Sequence, residues 1–200
     1  MQKKVGLPVD RETPIIALTS RVTFQKGMDL LLEIIEPLVK LDVQIIIMGD
    51  GDKNYIAELK KYNKKYPKKI VWLSFKENQN METLIYAGAD IFLLPSHHEP
   101  CGINQLIAMR YGCVPVVRRV GGLYDTVTNF NPRTNRGTGF SFAGFDKYSL
   151  FAAIIRALEN RQYKNTWREL IVRVMTESNS WEIPARKYIS LYRKAIKNSK

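Results

Sequence analysis

The chain has 200 residues, 45% of them hydrophobic, enough to build one well-buried domain. No apolar run approaches the roughly 20 residues that span a bilayer, and the opening Met1-Gln2-Lys3-Lys4-Val5-Gly6-Leu7-Pro8 is too short and polar for a signal peptide, so a cytoplasmic protein is expected. The net charge of +12 raises nucleic acid as a partner, but the cations cluster on amphipathic helices without an aromatic RNA-stacking motif or a recognition-helix module, so neither nucleic acid nor membrane is expected.

Five apolar, β-branched runs recur along the chain: Ile15–Leu18, Gln44–Met48, Ile70–Leu73, Ile91–Leu94 and Val114–Val117. Helical patterns separate them, at about Met28 to Lys40, Asp52 to Tyr66, Met81 to Gly88, Gly102 to Tyr111 and Leu123 to Asn129. This alternation predicts an α/β fold, a Rossmann-like parallel sheet flanked by helices. A short sixth strand is expected around Gly139–Phe142. Asp146 is placed to cap a helix starting at Lys147, and two further helices run from about Tyr163 to Met175 and Trp181 to Lys197. The expected organisation is one Rossmann-like domain over residues 1–180 and a terminal helix over 181–200.

The most informative segment is Pro95-Ser96-His97-His98-Glu99-Pro100-Cys101-Gly102. It follows a continuous apolar run of the kind found in a strand buried on both faces, so Glu99 sits on the loop beyond that strand's carboxyl end, where open parallel sheets bind ligands. Gly102 opens a helical pattern with Ile103, Leu106, Ile107 and Arg110 at helical spacing, and a helix start offers free N–H groups to a phosphate. Gly121 and Gly122 stand at the next helix start. Arg21 and Lys26 lie on the loop after the first strand, also at the carboxyl end. Gly49-Asp50-Gly51-Asp52 reads as a tight turn near the same pocket, since position 54 is Asn where a dinucleotide fingerprint needs a third glycine. The Phe75-Lys76-Glu77-Asn78 loop is expected to approach a nucleotide base, with Phe75 as the stacking aromatic. Adjacent His97 and His98 point to opposite sides of an extended segment, and no other histidine exists, so no metal site is expected. Cys101 and Cys113 flank one helix and should lie about 18 Å apart at ~1.5 Å per residue, too far for a disulfide.

Three motifs carry a family resemblance: Ser20-Arg21-Val22-Thr23-Phe24-Gln25-Lys26-Gly27-Met28-Asp29-Leu30-Leu31, the Glu99-Pro100-Cys101-Gly102 run, and Arg118-Arg119-Val120-Gly121-Gly122-Leu123-Tyr124-Asp125-Thr126-Val127. In this order they resemble the carboxyl-terminal half of glycogen and starch synthases, retaining glycosyltransferases of the GT-B fold. The resemblance implies that Arg21 and Lys26 offset charge on the donor's diphosphate and that Glu99 contacts the donor sugar. It implies that backbone N–H groups of Gly102, Ile103 and Asn104, with Gly121 and Gly122, meet phosphate oxygens. It implies an ADP- or UDP-glucose donor, an α-glucan acceptor and no cofactor. The family's amino-terminal domain has no counterpart in these residues, and the 181–200 helix is expected to pack toward it. Related sugar-nucleotide transferases carry a second glutamate where this chain has Ile107, which leaves the ribose contact unassigned. A sucrose synthase-like transferase fits the same motifs, and a catalytically silent nucleotide- or glucan-binding module is the rival from another class.

Overall fold

A computed structural model describes residues 1–177 and 180–198. Six strands are seen: β1 (Ile15–Thr19), β2 (Gln44–Met48), β3 (Ile70–Leu73), β4 (Ile91–Leu94), β5 (Val114–Arg118) and β6 (Phe140–Phe142). They form one parallel sheet in the order β3-β2-β1-β4-β5-β6. β1, β2, β4 and β6 are buried at every position, as a sheet covered on both faces requires. The order reverses at β1, whose neighbours are β2 and β4. A crevice opens beyond the carboxyl ends of β1 and β4, at this topological switch point.

Helices cover both faces: α1 (Met28–Val39), α2 (Lys53–Lys65), α3 (Glu82–Gly88), α4 (Asn104–Arg110), α5 (Gly121–Thr126), α6 (Lys147–Gln162) and α7 (Lys164–Thr176). Asp146 caps α6 as anticipated, its carboxylate accepting from the Ser149 N–H at 2.8 Å. Asp52 does the same for α2 through the Asn54 N–H.

Two helices differ from the sequence reading by two residues or more at an end. The helix expected from Gly102 starts at Asn104, because Gly102 is left-handed at φ +73° and forms a turn instead of a helical residue. The helix expected over Leu123 to Asn129 is α5, which begins at Gly121 and ends at Thr126. The chain extends after it so that Asn129 can bridge Gly139 in parallel.

The last helix, α8 (Glu182–Asn198), buries none of its residues. Trp181, just before it, is 76% exposed. Of the stretch 181–200, Ser199 and Lys200 lie outside the described residues. Among the described residues, no helix is long and apolar enough to cross a membrane.

Candidate functional site

Each functional loop is the exit from a buried strand. β1 ends at Thr19 and releases Ser20 and Arg21, followed by a short 3-10 turn at Phe24–Lys26. β4 ends at Leu94 and releases Pro95 through Gly102. The two loops are stitched together: the His97 N–H donates to the Gln25 carbonyl at 2.9 Å, and the Gln25 side chain reaches the His98 carbonyl. The His97 ring stacks on Phe24, with centroids 3.8 Å apart, and lies 3.2 Å from the Phe145 ring centroid. Its Nε2 is 3.2 Å from an Asp29 carboxylate oxygen. His97 thus fastens the Lys26 turn to the Glu99 loop.

The central contact is Lys26 Nζ to Glu99 Oε2 at 2.5 Å, with the two side chains only 16% and 10% exposed. The Ser96 hydroxyl, fully buried, donates to the same oxygen at 3.1 Å. Ammonium and carboxylate in a half-dry setting attract strongly, and each holds the other in one orientation. Arg21 stays exposed and, among the described residues, reaches only Gln25 Oε1, at 3.3 Å, so its guanidinium remains open to an anion.

A cleft of about 220 Å³ brings together Arg21, Lys26, Glu99, Gly102, Ile103 and Asn104 with Ser20 and Gln105. Six of the sequence-derived candidates therefore share one wall. The N–H groups of Gly102, Ile103 and Asn104 have no acceptor among the described residues. The Asn104 side chain donates to the Thr19 carbonyl at 2.8 Å and pins the start of α4 to the end of β1.

A second cleft, of about 320 Å³, adjoins the first through Ser20 and Arg21 and is lined further by Gly49, Asp50, Phe75, Lys76 and Glu82. Phe75 is 40% exposed, with a ring free to meet a flat partner.

Gly121 and Gly122 do not line either cleft. They stand behind the Glu99 loop: the Gly122 N–H donates to the Glu99 carbonyl at 3.1 Å, and a Cβ on Gly122 would collide with the Cys101 carbonyl oxygen. The pair lets two loops approach as only glycine allows.

Sequence reasoning passed over Ser96 and Gln105. Gln105 is fully buried, and its Nε2 donates to the Gly102 carbonyl at 2.9 Å and to Thr126 Oγ1 at 3.1 Å. That amide locks the Gly102 turn to α5. The available signal was a glutamine inside an otherwise apolar helix, but the 103-106-107-110 spacing pointed to the opposite face. Ile103 is instead 63% exposed, and α4 buries Gln105, Ala108 and Met109. Neither cysteine is in a disulfide; Cys101 is exposed, and burial pushes the Cys113 thiol well above its usual range.

Larger clefts elsewhere lack this convergence. One of about 520 Å³ sits at the sheet's amino end, where Glu12 is paired with Lys164 and Arg161 with Asp90. Another, of about 600 Å³, lies between α4 and the end of α7 and holds mainly Ile103, Leu106, Ile107 and Tyr111.

Comparison with known proteins identifies the family of this chain. The family model for glycosyl transferases group 1 matches residues 2–171. The chain is 42% identical over 197 residues to a glycogen synthase of Thermotoga petrophila, and 44% identical over 197 residues to one of Clostridium perfringens. Each match covers 98% of this chain, but only 40% and 41% of those relatives, so the chain spans about two fifths of their length. The catalytic domain of starch synthase IV from Arabidopsis thaliana, solved with ADP and acarbose, superposes with a TM-score of 0.88 at 28% identity, covering 98% of this chain and 41% of that one. A sucrose-phosphate synthase from Thermosynechococcus elongatus, at TM-score 0.68 and 21% identity over 99% of this chain and 51% of that one, shares the fold.

Proposed function

Because this chain belongs to the group 1 glycosyl transferases, we propose that it is the donor-binding half of a glycogen synthase, which moves glucose from ADP-glucose or UDP-glucose to the 4-OH of an α-1,4-glucan with retention of configuration. The observation that carries this reading is the meeting of Arg21, Lys26 and Glu99 in one cleft at the β1–β4 switch point. The glycogen synthase relatives support it.

In this reading Arg21 and Lys26 receive the diphosphate, helped by the N–H groups of Gly102, Ile103 and Asn104. Breaking the bond between glucosyl C1 and the phosphate oxygen leaves charge on the diphosphate, and fixed cations stabilise that charge more in the transition state than in the ground state. The bond from C1 to the acceptor oxygen forms on the same face, and the acceptor's proton passes to the departing phosphate. Glu99, held by Lys26 and Ser96, meets the sugar and not the phosphates, which its own charge would repel. Gly121 and Gly122 act from behind by holding the Glu99 loop. Phe75 takes the base. No step needs a metal, since protein cations offset the diphosphate.

The acceptor and the far side of the donor would be positioned by an amino-terminal domain. We place α8 against that domain, because every described residue of the helix is exposed, including Tyr188, Leu191 and Tyr192. Fused to such a domain, the chain should extend an α-glucan primer from labelled ADP-glucose or UDP-glucose, and the label should be released by an α-1,4-specific amylase. Nucleotide-sugar hydrolysis without glucan elongation, or label resistant to that amylase, would contradict the reading.

A further inference from the structure

We propose that Glu82 is the group that recognises the ribose of the nucleotide, through its free carboxylate oxygen. This assignment rests on the donor-binding reading of the two adjoining clefts. A diphosphate held by Arg21 and Lys26 in the first cleft directs its sugar toward Glu99. Its nucleoside then enters the second cleft, which shares Ser20 and Arg21 with the first.

Glu82 is the first residue of α3 and lines the second cleft. Its Oε1 accepts from the Tyr86 hydroxyl at 3.1 Å, and Tyr86 in turn lies 2.8 Å from Thr19 Oγ1. A phenol has one proton to give, and an ionised carboxylate has none. Tyr86 therefore donates to Glu82, and Thr19 donates to Tyr86. Tyr86 is only 2% exposed, and burial pushes its phenol well above the usual range, so it remains a donor. The carboxylate is thus anchored through a relay to the last residue of β1. Oε2 has no partner among the described residues.

An anchored carboxylate accepts hydrogen bonds and gives none, so it selects a ligand with hydroxyl or amino donors. In a nucleoside diphosphate these are the ribose diol and, for adenine, the exocyclic amine. Position decides between them. Thr19 immediately precedes Ser20, which both clefts share, so Glu82 is tied to the phosphate end. Phe75 lies on the loop after β3, two strands away in the sheet. The ribose stands between phosphate and base, and Glu82 lines the one cleft that holds both Arg21 and Phe75. Asp50, the other acid of this cleft, has one oxygen engaged by the Lys76 N–H at 3.1 Å.

The test is calorimetric titration of the 200-residue chain and its Glu82→Ala and Glu82→Gln variants with ADP, 2′,3′-dideoxy-ADP and inosine diphosphate. Hydrogen bonds to a charged group justify an expected preference of the parent for ADP over dideoxy-ADP of about 10-fold or more. That preference should collapse in Glu82→Ala and weaken in Glu82→Gln, which still accepts from Tyr86, while thermal melts confirm that both variants fold. A ratio unchanged in both variants, or an equal loss for both nucleotides, would overturn the assignment of Glu82 alone. Loss of the ADP-over-inosine-diphosphate preference with the ribose preference intact would move Glu82 to the base and overturn it too. Absence of saturable ADP binding by the parent would overturn the donor-binding reading together with this assignment.

Discussion

Lys26 and Glu99 are 73 positions apart in the chain, and their 2.5 Å contact defines the site. The pairing has a consequence for mutants. Glu99 holds Lys26 in place but also competes with phosphate for its charge. In a full-length enzyme, Glu99→Gln should therefore leave ADP affinity unchanged or slightly raised, while turnover falls by about 100-fold or more, the scale for losing a strong transition-state contact. Steady-state transfer rates and calorimetry on the same preparation would check this, and near-normal turnover would remove Glu99 from the chemistry. At this scale the sequence was informative for charged residues. Arg21, Lys26 and Glu99 sit where strand exits must place them, and a charge on such a loop has few structural uses. Ser96 and Gln105 were less visible because their work is done on neighbours: one holds a carboxylate, the other a turn. A small hydroxyl and a neutral amide leave no pattern in a chain until the fold shows what they touch.

Among the elements, the strands were legible because a sheet buried on both faces demands unbroken apolar runs. β6, only three residues long, was readable from Phe140 and Phe142, although Ser141 between them is polar and also buried. Helix starts depended on the local signal. Asp146 carried its own, and the α6 boundary follows from it. The start of α4 is set by a left-handed glycine and by Asn104 bonding to Thr19, a partner 85 positions away. Those contacts turn the helix so that Gln105 faces inward and Ile107 outward, against the apolar spacing. The Asp146 cap gives an element-scale prediction. Asp146→Ala should lower the melting temperature by about 2–4 °C, the usual consequence of losing an N-cap in a chain of this size. The Ser149 hydroxyl, and then its N–H, hold the Asp146 carboxyl below its ordinary value. A lowered value contributes stability above the unfolded pKa of about 3.9 and loses it as pH falls through the folded one. The gap between parent and variant should therefore be full at neutral pH and narrow in acid, as thermal melts across that range would show.

For the whole molecule, the net charge of +12 is an excess of surface cations, of which a few lysines pair with carboxylates, as in Lys61–Glu58, Lys65–Glu36 and Lys69–Asp42. The cations that matter for the donor are the few at the crevice. The body from β1 to α7 closes one continuous core, and α8 adds nothing to it. Burial of this extent is what an independently folding domain needs, so the chain should fold without a partner domain. In the proposed reading the other wall of the cleft belongs to an amino-terminal domain, so these 200 residues should bind nucleotide with modest affinity and should not elongate glucan alone. Positioning by such a domain can account for roughly 7–11 kcal/mol of a barrier. In the proposed reading, Arg21 and its neighbours hold a nucleotide by its diphosphate at the β1–β4 crevice. Titrating ADP and adenosine into the parent chain and into Arg21→Ala, with and without chelator, tests it most directly. Among the described residues, the exposed Arg21 bonds only Gln25 Oε1, so the variant should keep its fold. ADP binding should be indifferent to chelator and weaken about 10-fold or more in Arg21→Ala, with adenosine binding unchanged. Equal losses for ADP and adenosine, or no loss for either, would contradict it.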